Sequence, residues 1–145
     1  MKEQREGGFL LDKIHHLARR TFTEKLRDHG IHELNAAQGR IMFVLWRHSS
    51  MPIQELAQAT GLGKSTLTSM LDRLEAAGHI SRAPSAEDRR QTMVAASAKS
   101  IAHMERYVQV SKDMNELFYR GFAPGEIDDF ERYLRRILGN LSGVR

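Results

Sequence analysis

The chain contains no cysteine. That absence excludes a disulfide framework, thiolate metal sites and thiol redox sensing together. Proline is scarce: Pro52, Pro84 and Pro124 are the only three, and each falls between periodic segments as punctuation. No apolar run reaches the roughly 20 residues that a bilayer-spanning helix needs. The opening segment, Met1 to Gly8, is polar and has no signal-peptide core. No membrane association is expected, and a cytoplasmic location fits best. Internal repeats, low-complexity tracts and long linkers are also lacking. So are a phosphate-binding glycine loop, a nucleophile elbow and a zinc-protease helix. Neighbouring carboxylates such as Asp128 and Asp129 would point to different sides of a helix. Neither a catalytic residue nor a cofactor is expected.

What remains is an ordinary globular composition: 145 residues, 41% hydrophobic and 28% charged. That is the size of one domain or of two small lobes sharing a core. The net charge is +4, a modest basic excess. Its distribution is uneven. Residues 1–30 hold seven Lys/Arg against five Asp/Glu, and residues 61–100 hold six against four, whereas the other stretches balance. The central surplus includes the pair Arg89-Arg90.

Helical periodicity opens the chain. From Phe9 to His29, Leu10, Ile14, Leu17, Thr21 and Leu26 recur at helical spacing, and Gly30 is a plausible stop. A second helix is predicted from Asn35 to His48, with Asn35 as its N-cap and Ile41, Met42, Val44, Leu45 and Trp46 as apolar positions. Ser49 to Pro52 breaks it. Then the elements shorten. Ile53, Leu56 and Ala57 mark a helix of about two turns ending at Gly61. Leu62-Gly63 makes a turn, and Lys64 to Ala77 forms a longer helix stopped by Gly78. His79–Ala83 and Thr92–Ala96 are predicted strands, closed into a hairpin by the polar loop Pro84 to Gln91. Helix resumes with the stripe Ile101, Met104, Val108, Ser111, Met114 and Phe118. After Gly121 and Pro124, the last helix places Ile127, Phe130, Leu134, Ile137 and Leu141 in an a/d seam.

A two-turn helix, a glycine turn and a longer helix make a helix-turn-helix. On the longer helix, Leu67, Met70, Leu71 and Leu74 share one arc of about 100° that must pack inward. The opposite arc carries Ser65, Thr68, Ser69, Asp72 and Arg73, flanked by Lys64 and Thr66. Exposed helix faces usually favour long charged residues and strong helix formers. Small hydroxyl residues are poor helix formers, but they allow close approach to a groove and bond to phosphates and base edges. The plain alternative is a surface helix of low propensity. Two arginines at a hairpin tip are poorly explained by folding. Arginine suits a narrow, negative minor groove, and Asp88 can pin one arginine and so orient the other. Taken alone, the tip reads equally well as a solvated turn with a local salt bridge.

Leu56-Ala57, Gly61-Leu62, Ser65-Thr66-Leu67-Thr68, Leu71-Asp72-Arg73-Leu74-Glu75, Gly78-His79-Ile80 and Asp88-Arg89-Arg90 are similar to the signature of MarR-type regulators (multiple antibiotic resistance regulators). The resemblance extends to Leu34-Asn35-Ala36-Ala37-Gln38 and Pro124-Gly125-Glu126. One departure stands out. Such proteins usually show Leu-Thr-x-x-Gly after the wing, and here Ala96-Ser97-Ala98-Lys99-Ser100 takes that place.

The expected fold is mainly α with a small β wing. It is a winged helix-turn-helix at residues 35–100, plus a helical dimerisation lobe formed by residues 1–34 and 101–145. The resemblance implies a homodimeric, double-stranded-DNA-binding transcription regulator, a repressor reading a pseudo-palindromic operator. It also implies a small aromatic or phenolic effector bound between the dimer and DNA lobes. Expected DNA-binding residues are Lys64, Ser65, Thr66, Thr68, Ser69, Arg73, Asp88, Arg89 and Arg90, with Arg90 entering the minor groove. His15, Arg19, Met42, Trp46 and Tyr107 are candidates for the effector site, though each also reads as core or surface.

Two other functions are open: a winged module for protein contact, and a metal-dependent regulator. An apolar outward helix face would favour the first. His15-His16 and His29-x-x-His32 offer spacing for the second, but no cysteine assists, and no metal site is expected.

Overall fold

In the computed structural model, which describes residues 4–144, the apolar spacings become helices nearly where they are predicted. The elements are α1 (Gly7–Asp28), α2 (Ala36–Trp46), β1 (Met51–Pro52), α3 (Ile53–Thr60), α4 (Lys64–Ala76), β2 (Ile80–Pro84), β3 (Thr92–Ala96), α5 (Ala98–Ile101), α6 (Met104–Phe118) and α7 (Pro124–Ser142). Residues 1–3 and 145, the outer ends of the expected flanking segments and part of the polar start, lie outside the described residues. The chain divides into two units, one up to Ser111 and one from Lys112 onward.

Local chemistry sets the helix ends. The Asn35 carboxamide accepts the Gln38 N–H at 2.8 Å, and the Gln38 side chain accepts the Asn35 N–H at 3.1 Å, a reciprocal cap that starts α2. At the other end, Arg47 and His48 donate to Val44 and Leu45, three residues back. That tighter turn stops α2 at Trp46 rather than at His48. Helix α4 ends in a Schellman arrangement: Gly78 takes φ +82, its N–H bonds to Glu75, and the His79 N–H bonds to Leu74. This use of His79 delays β2 to Ile80. Gly61, at φ +71, turns α3 toward α4.

The strands pair in the order β1-β3-β2, all antiparallel, with Ile80 opposite Ala96 and Pro84 opposite Thr92. Strand β2 is an edge, where proline costs no ladder hydrogen bond. Strand β1 is absent from the sequence reading, which took Met51-Pro52 only as a break. It sets Met51 opposite Val94 and ties the helix-turn-helix to the hairpin.

One core holds the first unit. Leu26, Ile31, Ile41, Met42, Leu45, Leu56, Leu67, Leu71, Val94 and Val110 are fully buried. On helix α6 the buried residues are Tyr107 and Val110, whereas Ile101 of α5 and Met104 and Phe118 of the apolar stripe are exposed in the single chain. The helix is also broken at Ala102-His103, so Ile101 belongs to α5. In the departure from the usual post-wing motif, Ser97 caps α5 by accepting the Ser100 N–H, and its hydroxyl donates to Gly78 at 2.6 Å.

Tyr107 is the hub of an aromatic group. Its ring lies 5.5 Å from Phe22, 5.7 Å from Phe43 and 5.5 Å from Trp46, centroid to centroid. Burial pushes its phenol pKa up to about 12, so the ring packs in its neutral form. Gly39 of α2 leaves the space for it: a Cβ there would sit 2.6 Å from Tyr107 Cε2. Alanine normally stabilises a helix interior by about 1 kcal/mol over glycine. Here overpacking against a ring held on three sides costs typically about 1–3 kcal/mol. Gly39→Ala is therefore expected to lower the melting temperature. A raised one would mean that the ring moves aside freely.

In the second unit, Tyr119 donates to Glu131 at 2.6 Å, and Phe118, Phe122 and Phe130 meet its ring edge to face. The Glu126 carboxylate accepts the Ala123 N–H at 2.9 Å and starts α7, with Pro124 at its first position. None of the described α7 side chains is buried.

Candidate nucleic-acid interface

Helix α4 has two unlike faces. Leu67, Leu71 and Leu74 are buried, whereas Lys64, Ser65, Thr66, Thr68, Ser69, Asp72 and Arg73 are all exposed. Lys64, Ser65, Thr68, Ser69 and Asp72 line one open concavity. The hydroxyls are not equivalent. Thr68 donates its hydroxyl hydrogen to the Lys64 carbonyl at 2.9 Å, one turn back. Its oxygen can still accept, but its proton is already given to the Lys64 carbonyl. Ser65 and Ser69 are not committed in this way.

The hairpin tip closes on itself. The Ser85 hydroxyl accepts the N–H groups of Glu87 and Asp88 at 3.2 and 3.3 Å. The Ser85 N–H donates to Gln91, and the Gln91 N–H donates to Asp88. The Asp88 carboxylate then accepts from Arg90 three times: its N–H at 3.1 Å, Nε at 3.1 Å and Nη2 at 3.3 Å. These bonds, the side-chain ones foremost, hold the Asp88 carboxyl below the usual carboxylate range. The pinned arginine is thus Arg90, and its side chain is still 91% exposed. Arg89 is exposed beside it.

Helix and tip converge. Lys64, at the start of α4, lines a cleft of about 250 Å³ together with Arg90, Gln91 and Thr92 from the hairpin and Pro52 to Gln54 from β1 and α3. Arg82 on β2 fixes the stem. Its guanidinium donates to Asp72 at 2.7 Å and to Glu75 at 3.0 Å, which locks the hairpin to α4. The bond from Arg82 is the main reason that the Glu75 pKa is lowered. Sequence reading missed Arg82 as a positioning residue and treated Asp72 only as part of the outward arc. Helical spacing shows that Asp72 and Glu75 share a side, but it cannot show what lies opposite them.

The effector candidates do not gather in one cavity. Met42 and Tyr107 are buried, and Trp46 packs on Tyr107 with its indole N–H donating to Ser100 at 3.2 Å. His15 and Arg19 are exposed on α1. Arg19 lines a groove of about 430 Å³ with His16, Arg20, Thr23, Arg27 and Asn35. The histidine spacings weighed in the sequence, His15-His16 and His29-x-x-His32, do not contribute to the three-residue ligand cluster found among the described residues.

Comparison with known proteins agrees with this geometry. The MarR family model matches residues 34–92, from the start of α2 to the wing. TtmR, an HTH-type transcriptional regulator of Methylorubrum extorquens, is 38% identical over 63 residues, 43% of this chain and 32% of its own length. This chain therefore spans about a third of that relative. A MarR variant from E. coli, solved with operator DNA, superposes with a TM-score of 0.81 at 24% identity, covering 90% of this chain and 92% of that one. Bordetella bronchiseptica BpsR, whose DNA binding is described as regulated by 6-hydroxynicotinic acid, gives a TM-score of 0.82 at 21% identity, covering 100% and 97%. These likenesses show the fold. The family model adds that the helix-turn-helix and wing, residues 34–92, are similar to those of the MarR family.

Proposed function

We propose that this protein is a DNA-binding transcription regulator, a homodimeric repressor that a small ligand releases. One observation carries the reading. A polar Ser/Thr helix face lines one concavity, a pinned and exposed Arg90 lines a second, and Lys64 lines both. Duplex DNA offers the matching partners: base edges for the hydroxyls, phosphate for the lysine, and a narrow negative groove for the arginine. The outward face of α4 is polar, so a protein-contact module is the weaker reading. The DNA-bound E. coli relative of the same fold supports this assignment.

On this reading residues 35–100 meet DNA, and residues 1–34 and 101–145 meet a second copy. Phe9, Leu10, Leu11, Ile14 and Leu17 on α1, and Ile137, Leu138 and Leu141 on α7, are exposed apolar side chains that water does not favour. An effector would suit the α1 groove, where Arg19, Arg20 and Arg27 outnumber Glu24. That charge favours a small aromatic acid over a neutral phenol. BpsR, of the same fold, is described with such an acid.

The direct test is selection of bound duplexes from random DNA. Enrichment of inverted half-sites centred about one helical turn apart is expected, with affinity falling steeply as salt rises. No enrichment together with a flat salt response would sink the assignment. Ser65 and Thr68 refine it. Ser65→Ala is expected to change base preference by about 1–3 kcal/mol where a base edge is read. Thr68→Val, which keeps the shape but removes an already committed hydroxyl, is expected to cost less than that. The two variants are compared by anisotropy on matched and mismatched duplexes. A larger loss for Thr68→Val would mean that its hydroxyl turns outward on binding.

A further inference from the structure

Three side chains outside the DNA-facing surface come together in the first unit. Glu33 lies in the loop between α1 and α2, His79 directly follows α4, and His103 sits in the turn between α5 and α6. One ligand atom from each falls within 4.8 Å of the other two. His79 is fully buried. Its Nδ1 and Nε2, and Nδ1 of His103, are buried without a hydrogen-bond partner. Nε2 lies 2.7 Å from Glu33 Oε2, an ion-pair distance whose angles do not make a hydrogen bond. The two imidazoles meet edge to face, 5.7 Å between centroids.

A fold seldom retains a buried imidazole with one nitrogen unpartnered and the other held only by an off-angle carboxylate contact, because the desolvated ring nitrogens gain little in return. We propose that Glu33, His79 and His103 form a binding site for a divalent transition-metal ion of the zinc class. Two imidazoles and one carboxylate are a ligand set that zinc accepts, leaving a fourth position for water. Bonds of about 2.0–2.1 Å separate tetrahedral ligand atoms by about 3.3 Å, so a small opening of the Glu33–His79 pair and a small closure onto His103 complete the site. The Glu33 side chain is 49% exposed, which provides the entry path. The ion would join three segments that are distant in sequence, one of them the residue that ends α4. Sequence spacing could not reveal this, since the ligands span 70 residues and none is paired on one helix.

The test uses the full chain, stripped with a chelator and titrated with Co2+. With no cysteine present, any visible band comes from nitrogen and oxygen ligands alone. One Co2+ per chain, a four-coordinate spectrum, displacement by Zn2+ and a higher melting temperature with Zn2+ are expected. Glu33→Gln and His103→Gln, both at positions that are not fully buried, should each weaken binding by about ten-fold or more, with circular dichroism unchanged. A His29→Gln/His32→Gln variant should bind as the parent does. Absence of the spectrum at one equivalent, or full affinity in both Glu33→Gln and His103→Gln, would overturn the site. So would loss of binding in the His29/His32 variant alone.

Discussion

Replacing Arg90 with alanine is expected to weaken operator binding by about 1–3 kcal/mol, roughly five-fold to over a hundred-fold in Kd. Folding and assembly should be untouched. The side chain is 91% exposed, and its one ion pair, with Asp88, is a surface pair of little worth to stability. What it supplies is position. Asp88 holds the guanidinium by Nε and Nη2, so on the proposed reading the arginine would meet DNA with much of its rotamer freedom already spent. Anisotropy at matched salt, alongside size-exclusion chromatography, separates the outcomes. An unchanged Kd would remove the wing from the interface. A lower melting temperature would mean that the tip is structural. Asp88→Asn should fall between parent and Arg90→Ala, because it frees the arginine without deleting it.

A double substitution on α7, Leu138→Asp with Leu141→Asp, is expected to abolish the proposed dimer. These leucines are 64% and 66% exposed in the single chain. Fully burying a leucine contributes about 1.5–3 kcal/mol. Two leucines from each copy make four, or roughly 6–12 kcal/mol. Losing that would move a nanomolar dimer to roughly tens of micromolar at the low end of the range and past millimolar at the high end. Desolvating the new carboxylates would add to the loss. Sedimentation velocity at micromolar concentration should show the monomer mass. A variant that keeps the dimer mass would show that another surface joins the copies. Since the proposed operator has two half-sites, DNA affinity should fall with the dimer.

What the sequence discloses follows from the range of each interaction. Local signals survive translation well. The Asn35–Gln38 cap, the stops at Gly61 and Gly78, and the buried arc of Leu67, Leu71 and Leu74 all depend on residues within a few positions of one another. Strand β1 escapes because two residues carry no period. On α6 the apolar stripe does not disclose that Tyr107 and Val110 enter the core, since the space Gly39 leaves for the Tyr107 ring lies on another helix. Among candidate site residues, the α4 face was readable from helical geometry and Arg90 from its place at a hairpin tip. Arg82, Glu33 and His103 were not, since their meaning lies in partners across turns whose angles no spacing encodes. Met42, Trp46 and Tyr107 look alike as core or as pocket until burial separates them.

The self-closed hairpin tip has a calorimetric consequence. Segments that fold on contact release the heat-capacity signature of that folding along with that of binding. Here Ser85, Asp88 and Gln91 already tie the loop in the single chain. The heat-capacity change on binding DNA should therefore match the apolar area covered, with no added increment from ordering the wing.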